Sequence, residues 1–418
     1  MTTEATPWGG DIDDPRPAPD RAAAFDPNAL EPAFLDDPFP AYHLLREHDP
    51  VHRCPDGSYF LTRYDDLMQV YRGEEFSSDK TREFGPKYGD SPLYLHHTTS
   101  LVFNDPPLHT RVRELLNPAF TPRALKQLEP DLVALVDRLL DRAQEMGSFD
   151  LIADFAAAIP VEVIGNMLGI PHEDRGPLRG WSLAILGALE PVTPAQVLER
   201  GNRAVTEFSG YLSDLIAERR RNPDRFGDDV MARLIEGNPE GEQLSDTELI
   251  QNCIFLLNAG HETTTNLIGN SIAALLDNPA EWRRLDGEPD LIESAVEEFL
   301  RYQSSNQLGN RRVAADTTVG GVAMPAGAYI HLCIGAANRD PSQFPDPDRL
   351  DIARSPNRHL AFATGRHACA GMILARMEGR VAIAKLVARL PKLRRDGEFR
   401  RGGRARFRGF LAYPVRAG

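Results

Sequence analysis

The sequence predicts a mainly α-helical protein with a small β portion. Apolar residues recur at helical spacing over most of the chain, one capped helical pattern far outruns the others, and β-prone runs are few and short. Residues 1–25 are rich in Pro, Asp and Ala without periodicity and read as a mobile tail. Helices are expected near 38–48, 64–73, 108–118, 123–146, 150–168, 194–222 and 371–390; Leu132, Leu135, Val136, Leu139 and Leu140 show the apolar stripe most plainly. The strongest helix start is Ser245-Asp246-Thr247-Glu248, a capping box in which the serine hydroxyl and Glu248 satisfy backbone N–H groups reciprocally. Its pattern runs to Asp277-Asn278-Pro279, about 32 residues or about 48 Å, enough to cross a domain. Strands are expected at Thr317–Val319, Val322–Met324 and Ala328–Ile334, punctuated by Gly320-Gly321 and Pro325-Ala326-Gly327. Gly335 to Arg366 reads as a long mixed loop, functional or packed rather than a mere connector.

Composition bounds the function. A chain of 418 residues gives a prior of two to three domains at ~150 residues each. With 42% hydrophobic and 26% charged residues it is a soluble globular protein, not a disordered one. Four cysteines without a CxxC pair exclude a disulfide framework and zinc-finger spacing, and favour a reducing compartment. The net charge of −14 argues against nucleic acid as the main partner. Charge is uneven: residues 1–50 carry eleven acids and three bases, residues 391–418 nine bases and two acids. The basic end, interleaved with Gly, Phe and Pro, reads as a solvated edge or a docking surface for an acidic protein. The N-terminus has no basic start followed by an apolar run. Leu151–Ile170 contains Asp154, Pro160 and Glu162 and reads as a buried helix, so a cytoplasmic protein without a membrane anchor is expected.

Several motifs carry chemistry. The long helix holds Asn258-Ala259-Gly260-His261-Glu262-Thr263-Thr264-Thr265 at its middle. Glycine and three successive threonines are poor helix formers, and threonine hydroxyls can bond the i−4 carbonyl, so a local distortion is expected beside an acid and an alcohol. His261-Glu262 is not a zinc-protease motif, because the second histidine of HExxH would fall at Thr265. Cys369 lies in Phe362-Ala363-Thr364-Gly365-Arg366-His367-Ala368-Cys369-Ala370-Gly371, just before an apolar helix. Small neighbours leave room at the sulfur, and a helix N-terminus favours thiolate; nucleophile, metal ligand and buried structural cysteine all remain open from these residues alone. Glu298 and Arg301 stand at i and i+3 on one helix, a common surface pairing. His109 and Arg113, in a helix opened by Pro106-Pro107, sit one turn apart and would suit an anion or a solvated face.

Taken together and in this order, the motifs resemble those of the cytochrome P450 family of haem-thiolate monooxygenases in its soluble bacterial form, over about residues 30–415. The cysteine signature Phe-x-x-Gly-x-x-x-Cys-x-Gly is met by Phe362, Gly365, Cys369 and Gly371. The long-helix signature is met by Ala259, Gly260, Glu262, Thr263 and Thr264, and the Glu-x-x-Arg pair by Glu298 and Arg301, with Arg349 as the later arginine expected to join it. Ala363, where bacterial members commonly have Gly, and Leu108, often acidic, depart from the pattern.

The resemblance implies a P450-like fold with the long central helix over the haem, and residues 26–418 as one domain. It implies haem b with Cys369 as the metal ligand, and His109, Arg113, His367 and an arginine of Arg311-Arg312 on the propionates, Arg311 being favoured by its spacing to Gly320. Phe362 and Gly371 shape the cysteine loop, Gly260 leaves a groove for oxygen, Ala259 faces substrate, and Glu262 and Thr263 deliver protons to bound O2. The implied reaction is hydroxylation of a C–H bond, with dealkylation where the hydroxylated carbon bears an ether oxygen. Electrons come from NAD(P)H through a ferredoxin reductase and a ferredoxin, which would dock on the cysteine-side face near Arg366, Arg376, Arg380 and Arg111. Substrate is a small organic molecule; the polar run Gln303-Ser304-Ser305-Asn306-Gln307 suggests a pocket wall for a polar head, such as a phenol or carboxylate on a small aromatic. The alternatives are a peroxide-driven peroxygenase and a non-catalytic haem-binding sensor or recruitment domain. The Glu262/Thr263 pair argues against the first, and the presence of Cys369, Glu262 and Thr263 together argues against the second.

Overall fold

The computed structural model describes residues 16–223, 229–237, 241 and 243–418. The capping box forms as expected: Glu248 N–H donates to Ser245 Oγ (3.3 Å) and Ser245 N–H to Glu248 Oε2 (2.9 Å). From it the Asp246–Asp277 helix runs 32 residues and buries most of its side chains. The expected distortion takes a milder form. The helix stays α throughout, while the hydroxyls of Thr263 and Thr265 donate to the carbonyls of Ala259 (2.6 Å) and His261 (2.9 Å). Around it pack Pro92–Thr99, Ala158–Met167, Leu178–Gly187, Ala195–Arg221, Ile292–Tyr302 and Met372–Arg389, and Glu129–Met146 packs on the last of these. One cluster of buried apolar side chains extends from Phe84 to Val415.

Several predicted helices are shorter or divided. The 123–146 pattern splits into Pro122–Lys126 and Glu129–Met146, with Pro130 opening the second. The 150–168 pattern starts as a π-turn, Leu151–Ala156, capped by Asp150 Oδ1 on the N–H groups of Ile152 and Ala153, and continues as Ala158–Met167. Among the described residues no helix is long and apolar enough to cross a membrane. Residues 1–15 of the expected tail lie outside the described residues. The remainder of it is packed: Ala18–Ala23 is helical, Ala22 is buried, and Phe25 meets Phe60 with ring centroids 4.9 Å apart.

The β portion is larger than expected. A five-stranded sheet has the order Val51–Arg53, Tyr59–Leu61, Tyr329–Cys333, Leu308–Val313, Phe76–Ser77, and only the Tyr59–Leu61/Tyr329–Cys333 pair is parallel. The expected hairpin Thr317–Val319/Val322–Met324 turns at Gly320-Gly321, both at positive φ as a two-residue type I′ turn requires. The C-terminal segment supplies further strands; Pro414–Arg416 lies between Ser148–Asp150 and Arg394–Arg395.

A buried carboxylate organises the long loop after residue 335. Arg301 donates to both oxygens of Glu298 (2.7 and 2.8 Å) and to the carbonyls of Asn338, Pro347 and Arg349. The arginine that joins this pair is Arg354, not Arg349. Arg354 Nε lies 3.1 and 3.2 Å from the Glu298 oxygens, whereas the Arg349 side chain is 68% exposed and pairs with Asp351. Asp351 N–H and Asn357 Nδ2 also donate to Glu298, so one acid gathers five donor groups. Glu298→Ala leaves two buried guanidinium groups uncompensated and is expected to cost about 3–5 kcal/mol of stability; a denaturant midpoint equal to wild type would show that the network does not hold the loop.

Candidate active site

The cysteine loop is held from both sides. Gly365 has φ +73°, and a Cβ there would lie 2.4 Å from the carbonyl oxygen of Tyr71, so only glycine fits the turn. Ala363 also adopts positive φ (+52°), so alanine carries a strain here that glycine would not. Cys369 N–H donates to Phe362 O (3.0 Å), and the Phe362 ring lies under the Arg376 guanidinium at 4.7 Å. Arg376 in turn makes a two-pronged bond to Glu297 (2.7 and 2.8 Å), which also meets His359 Nε2 at 3.2 Å. Against the upward push of burial, these partners hold the Glu297 carboxyl down at about 2.

Cys369 stands three residues before the Met372–Arg389 helix. Gly371 leaves the approach open; a Cβ there would meet nothing nearer than Phe120 at 3.9 Å. The expected lowering of the thiol does not occur in the bare protein. Protein packed round the sulfur pushes it above its ordinary value, and the Gly371 N–H with the charges of Arg113 and Arg376 pulls the other way. That balance suits a metal, which binds thiolate and removes the proton outright.

Two arginines and two histidines converge beside this loop. His109 is buried, and neither ring nitrogen has a hydrogen-bond partner; its ring lies 4.1 Å from that of His367. Burial, then the charges of Arg311, His109, Arg366 and Arg113, drive His367 down to about 2. His109 is lowered by burial and by Arg113 and Arg366, with Asp105 opposing. Arg311 is buried, stacks over Tyr71 at 5.4 Å and donates to Asn310 O (2.7 Å). Arg312 turns away, to Asp79 O (2.9 Å) and Glu83 (3.4 Å). Two guanidinium groups and the unpartnered nitrogens of buried His109, next to the Cys369 sulfur, fit a haem with two propionates. Among the described residues no cluster of three His, Cys, Asp or Glu side chains could hold a bare metal ion.

The long helix supplies the acid and alcohol. Glu262 is buried; its Oε1 accepts from Arg404 Nη1 (2.6 Å) and its Oε2 has no partner. Burial pushes its pKa to about 7, with Arg404 opposing. A cavity of about 20 Å³, lined by Glu262, Arg404, His261 and Phe410 among others, adjoins it and has room for one water. Ala259 is exposed in the middle of an otherwise buried helix. Gly260 has a packing reason as well as the expected one: a Cβ there would lie 2.7 Å from Ile164 Cδ1. Two residues escaped the sequence reading. Arg404 gave no signal among so many C-terminal arginines. Glu378, an acid on the apolar face of the cysteine helix, was visible: it is buried, pushed to about 8 by burial, and bonded to Thr264.

The polar run 303–307 spends much of its hydrogen-bonding capacity on the fold, while Asn306 Oδ1 and Gln307 Oε1 are buried without a partner among the described residues. Ser304 Oγ donates to Leu300 O, Ser305 Oγ to Thr263 O, Gln307 Nε2 to Ser304 O, and Gln303 accepts from Arg408. On the cysteine-side face, Arg376 pairs with Glu297, Arg380 with Glu129, and Arg111 with Glu248; of the four arginines named, Arg366 is exposed and outside any ion pair.

Fold and site define a haem-thiolate enzyme. A cytochrome P450 family profile matches residues 183–391. The chain is 41% identical over 365 residues to a vitamin D(3) 25-hydroxylase of Pseudonocardia autotrophica, covering 86% of this chain and 88% of that protein. A crystal structure of P450BioI with an acyl carrier protein ligated to hexadec-9Z-enoic acid superposes with TM-score 0.87 at 35% identity, covering 92% and 99% of the two chains. A myxobacterial P450, CYP267B1, in complex with myristic acid superposes with TM-score 0.85 at 34% identity, covering 94% and 99%. The chain belongs to the cytochrome P450 family and is a monooxygenase of that family.

The geometry separates Arg311 from Arg312. Arg311→Gln should speed haem loss to apomyoglobin by about tenfold, on the scale of a lost charged hydrogen bond, while Arg312→Gln should leave that rate near wild type; the reverse order would assign the propionate to Arg312.

Proposed function

We propose that this P450 uses haem b and O2 to hydroxylate, or oxidatively dealkylate, a small organic substrate, with electrons drawn from NAD(P)H through a ferredoxin reductase and a ferredoxin. The observation that carries this reading is the pair of guanidinium groups, Arg113 and Arg311, with the unpartnered nitrogens of His109 and the ring of His367 beside Cys369, a set suited to hold the propionates of a haem. Bound there, the haem thiolate supplies reductive activation of O2 and oxidation of an unactivated C–H bond.

The protein's own part is to hold that group and to meter protons. Cys369 ligates the metal, and the Gly371 N–H hydrogen-bonds its sulfur and tunes its electron donation. Glu262, poised near neutrality, exchanges protons with water in the adjoining cavity, and Thr263 passes them on once its hydroxyl leaves the Ala259 carbonyl. Glu378 offers a second buried acid through Thr264. An acid–alcohol pair of this kind is needed when O2 is the oxidant; a peroxide-driven peroxygenase has no such requirement. A cytoplasmic location belongs to the proposal and is supported by four unpaired cysteines. For the redox partner, Arg366 is the favoured contact with an acidic ferredoxin, because the neighbouring arginines are neutralised by their own acids.

Thr263→Ala should keep consuming NAD(P)H while product falls and hydrogen peroxide rises. The ratio of product to NAD(P)H checks this, and an unchanged ratio removes Thr263 from proton delivery. Arg366→Glu should weaken the apparent ferredoxin affinity and flatten its dependence on salt; wild-type values at two ionic strengths would move the docking face elsewhere.

A further inference from the structure

On the flank of the long helix, beside Glu262, the fold encloses a small space whose polar walls are unmet. Four of its lining residues, His261, Glu262, Thr265 and Asn266, come from that helix as two i, i+4 pairs, so they share one face. Thr265 spends its hydroxyl on His261 O (2.9 Å). The other three keep unused groups: neither ring nitrogen of His261 has a hydrogen-bond partner, and Asn266 Nδ2 and Glu262 Oε2 have none either. His261 is 1%, Asn266 4% and Glu262 6% exposed, so bulk water does not satisfy them. Burial, with the charge of Arg179, drives the His261 imidazole down to about 3. It is therefore neutral at pH 7, with one ring nitrogen a donor and the other an acceptor.

The space is the cavity of about 20 Å³ that has room for one water. A buried water needs about two to four polar partners, and these walls offer an amide donor, a carboxyl oxygen and an imidazole edge. The carboxyl is held still for it. Arg404 donates through Nη2 to Leu183 O (3.0 Å) and through Nη1 to Glu262 Oε1 (2.6 Å), which leaves Oε2 to the cavity. The charges that face Glu262 are those of Arg404 and, opposing it, Glu190. The cavity also has a mouth. Arg179, Gly402 and Arg404 line it and are partly exposed, whereas neither Ala259 nor Thr263 lines it. Water thus reaches the acid from the side of the C-terminal segment, not through the oxygen groove. A Cβ on Gly402 would meet only Gly409 O at 3.9 Å and Arg404 Cγ at 4.0 Å, so the mouth tolerates a side chain.

We propose that His261 and Asn266 are positioning residues for proton supply: they seat a water against Glu262 Oε2, and the mouth at Arg179 and Gly402 refills that water from solvent. The proposal rests on the monooxygenase reading above. Each proton that Glu262 gives up toward Thr263 is replaced at Oε2 by one from the seated water, which takes a proton from solvent in turn.

The test is infrared spectroscopy of the holoenzyme below pH 7, where the protonated Glu262 carboxyl gives a C=O band that Glu262→Gln removes. Mixing with D2O reads the proton supply directly, as the rate at which that band shifts. His261→Phe should slow the exchange about tenfold, the scale of one lost hydrogen bond to a charged group. It should also raise the midpoint of the band's titration, because the ionised acid loses a donor. His261→Gln, which keeps a donor and an acceptor, should restore rate and midpoint. Gly402→Leu, at the mouth, should slow the exchange and leave the midpoint where it is. Should His261→Phe fail to fold, Asn266→Leu carries the same expectation. Wild-type exchange and midpoint in the apolar variant, a loss that His261→Gln does not restore, or wild-type exchange in Gly402→Leu overturns the proposal. So does a wild-type spectrum without a band that Glu262→Gln removes, since the acid would then hold no proton to replace. A reduced carbonyl complex without the red-shifted thiolate Soret band would instead overturn the monooxygenase reading and leave the infrared result standing.

Discussion

Two adjacent carboxylates on the Ile292–Tyr302 helix fix the segment that carries the reactive sulfur. Glu298 is buried and accepts from Arg301, Arg354, the Asp351 N–H and the Asn357 side-chain amide. Glu297, one residue earlier and part-exposed, holds His359 and Arg376, and through Arg376 the ring of Phe362. Successive helical residues point about 100° apart, so one helix can grip two different stretches of chain. Between them the two acids tie down the chain on both sides of the cysteine loop. A loop this irregular could not hold a sulfur in one place through its own backbone bonds; rigidity is borrowed from a helix whose position the core fixes.

The charge pattern inside the protein runs against its surface. The chain as a whole is acidic at −14, yet near the cysteine stand the guanidinium groups of Arg113 and Arg311, beside two histidines, His109 and His367, that burial and these charges keep neutral. Across the long helix the buried groups are acids, Glu262 and Glu378, and burial brings both near neutrality. One side of the site therefore waits for anions, while the other can hold or release protons near pH 7. Desolvating a charge without a partner is costly, so a ligand that partners the buried bases stabilises the fold that holds it.

Much of this was legible in the sequence where the signal was local. The capping box, the Gly320-Gly321 turn and the small-residue loop round Cys369 each follow from one stretch of chain, and each forms as read. What escaped depends on partners distant in sequence. The strands at 51–61 and 308–313 are short and mostly buried, so they show no clean alternation. Arg349 and Arg354 are five residues apart in one loop, and nothing in composition tells which turns inward. Three of the arginines read as a docking face are paired with acids, because Glu297, Glu129 and Glu248 come from other elements to meet them.

The same distinction governs the reading of polar residues near a pocket. Ser304 and Ser305 look like a recognition surface in the sequence, but their side chains donate to nearby carbonyls and have little left to offer a ligand. His261 reads in the sequence as half of a zinc motif that fails, yet its two ring nitrogens are enclosed and unmet. A polar group recognises a ligand only with the bonds the fold has not already used. Polarity is written in the sequence, but satisfaction is a property of the packed structure. The residues able to seat a ligand or a water are therefore those where burial and an unused donor or acceptor coincide.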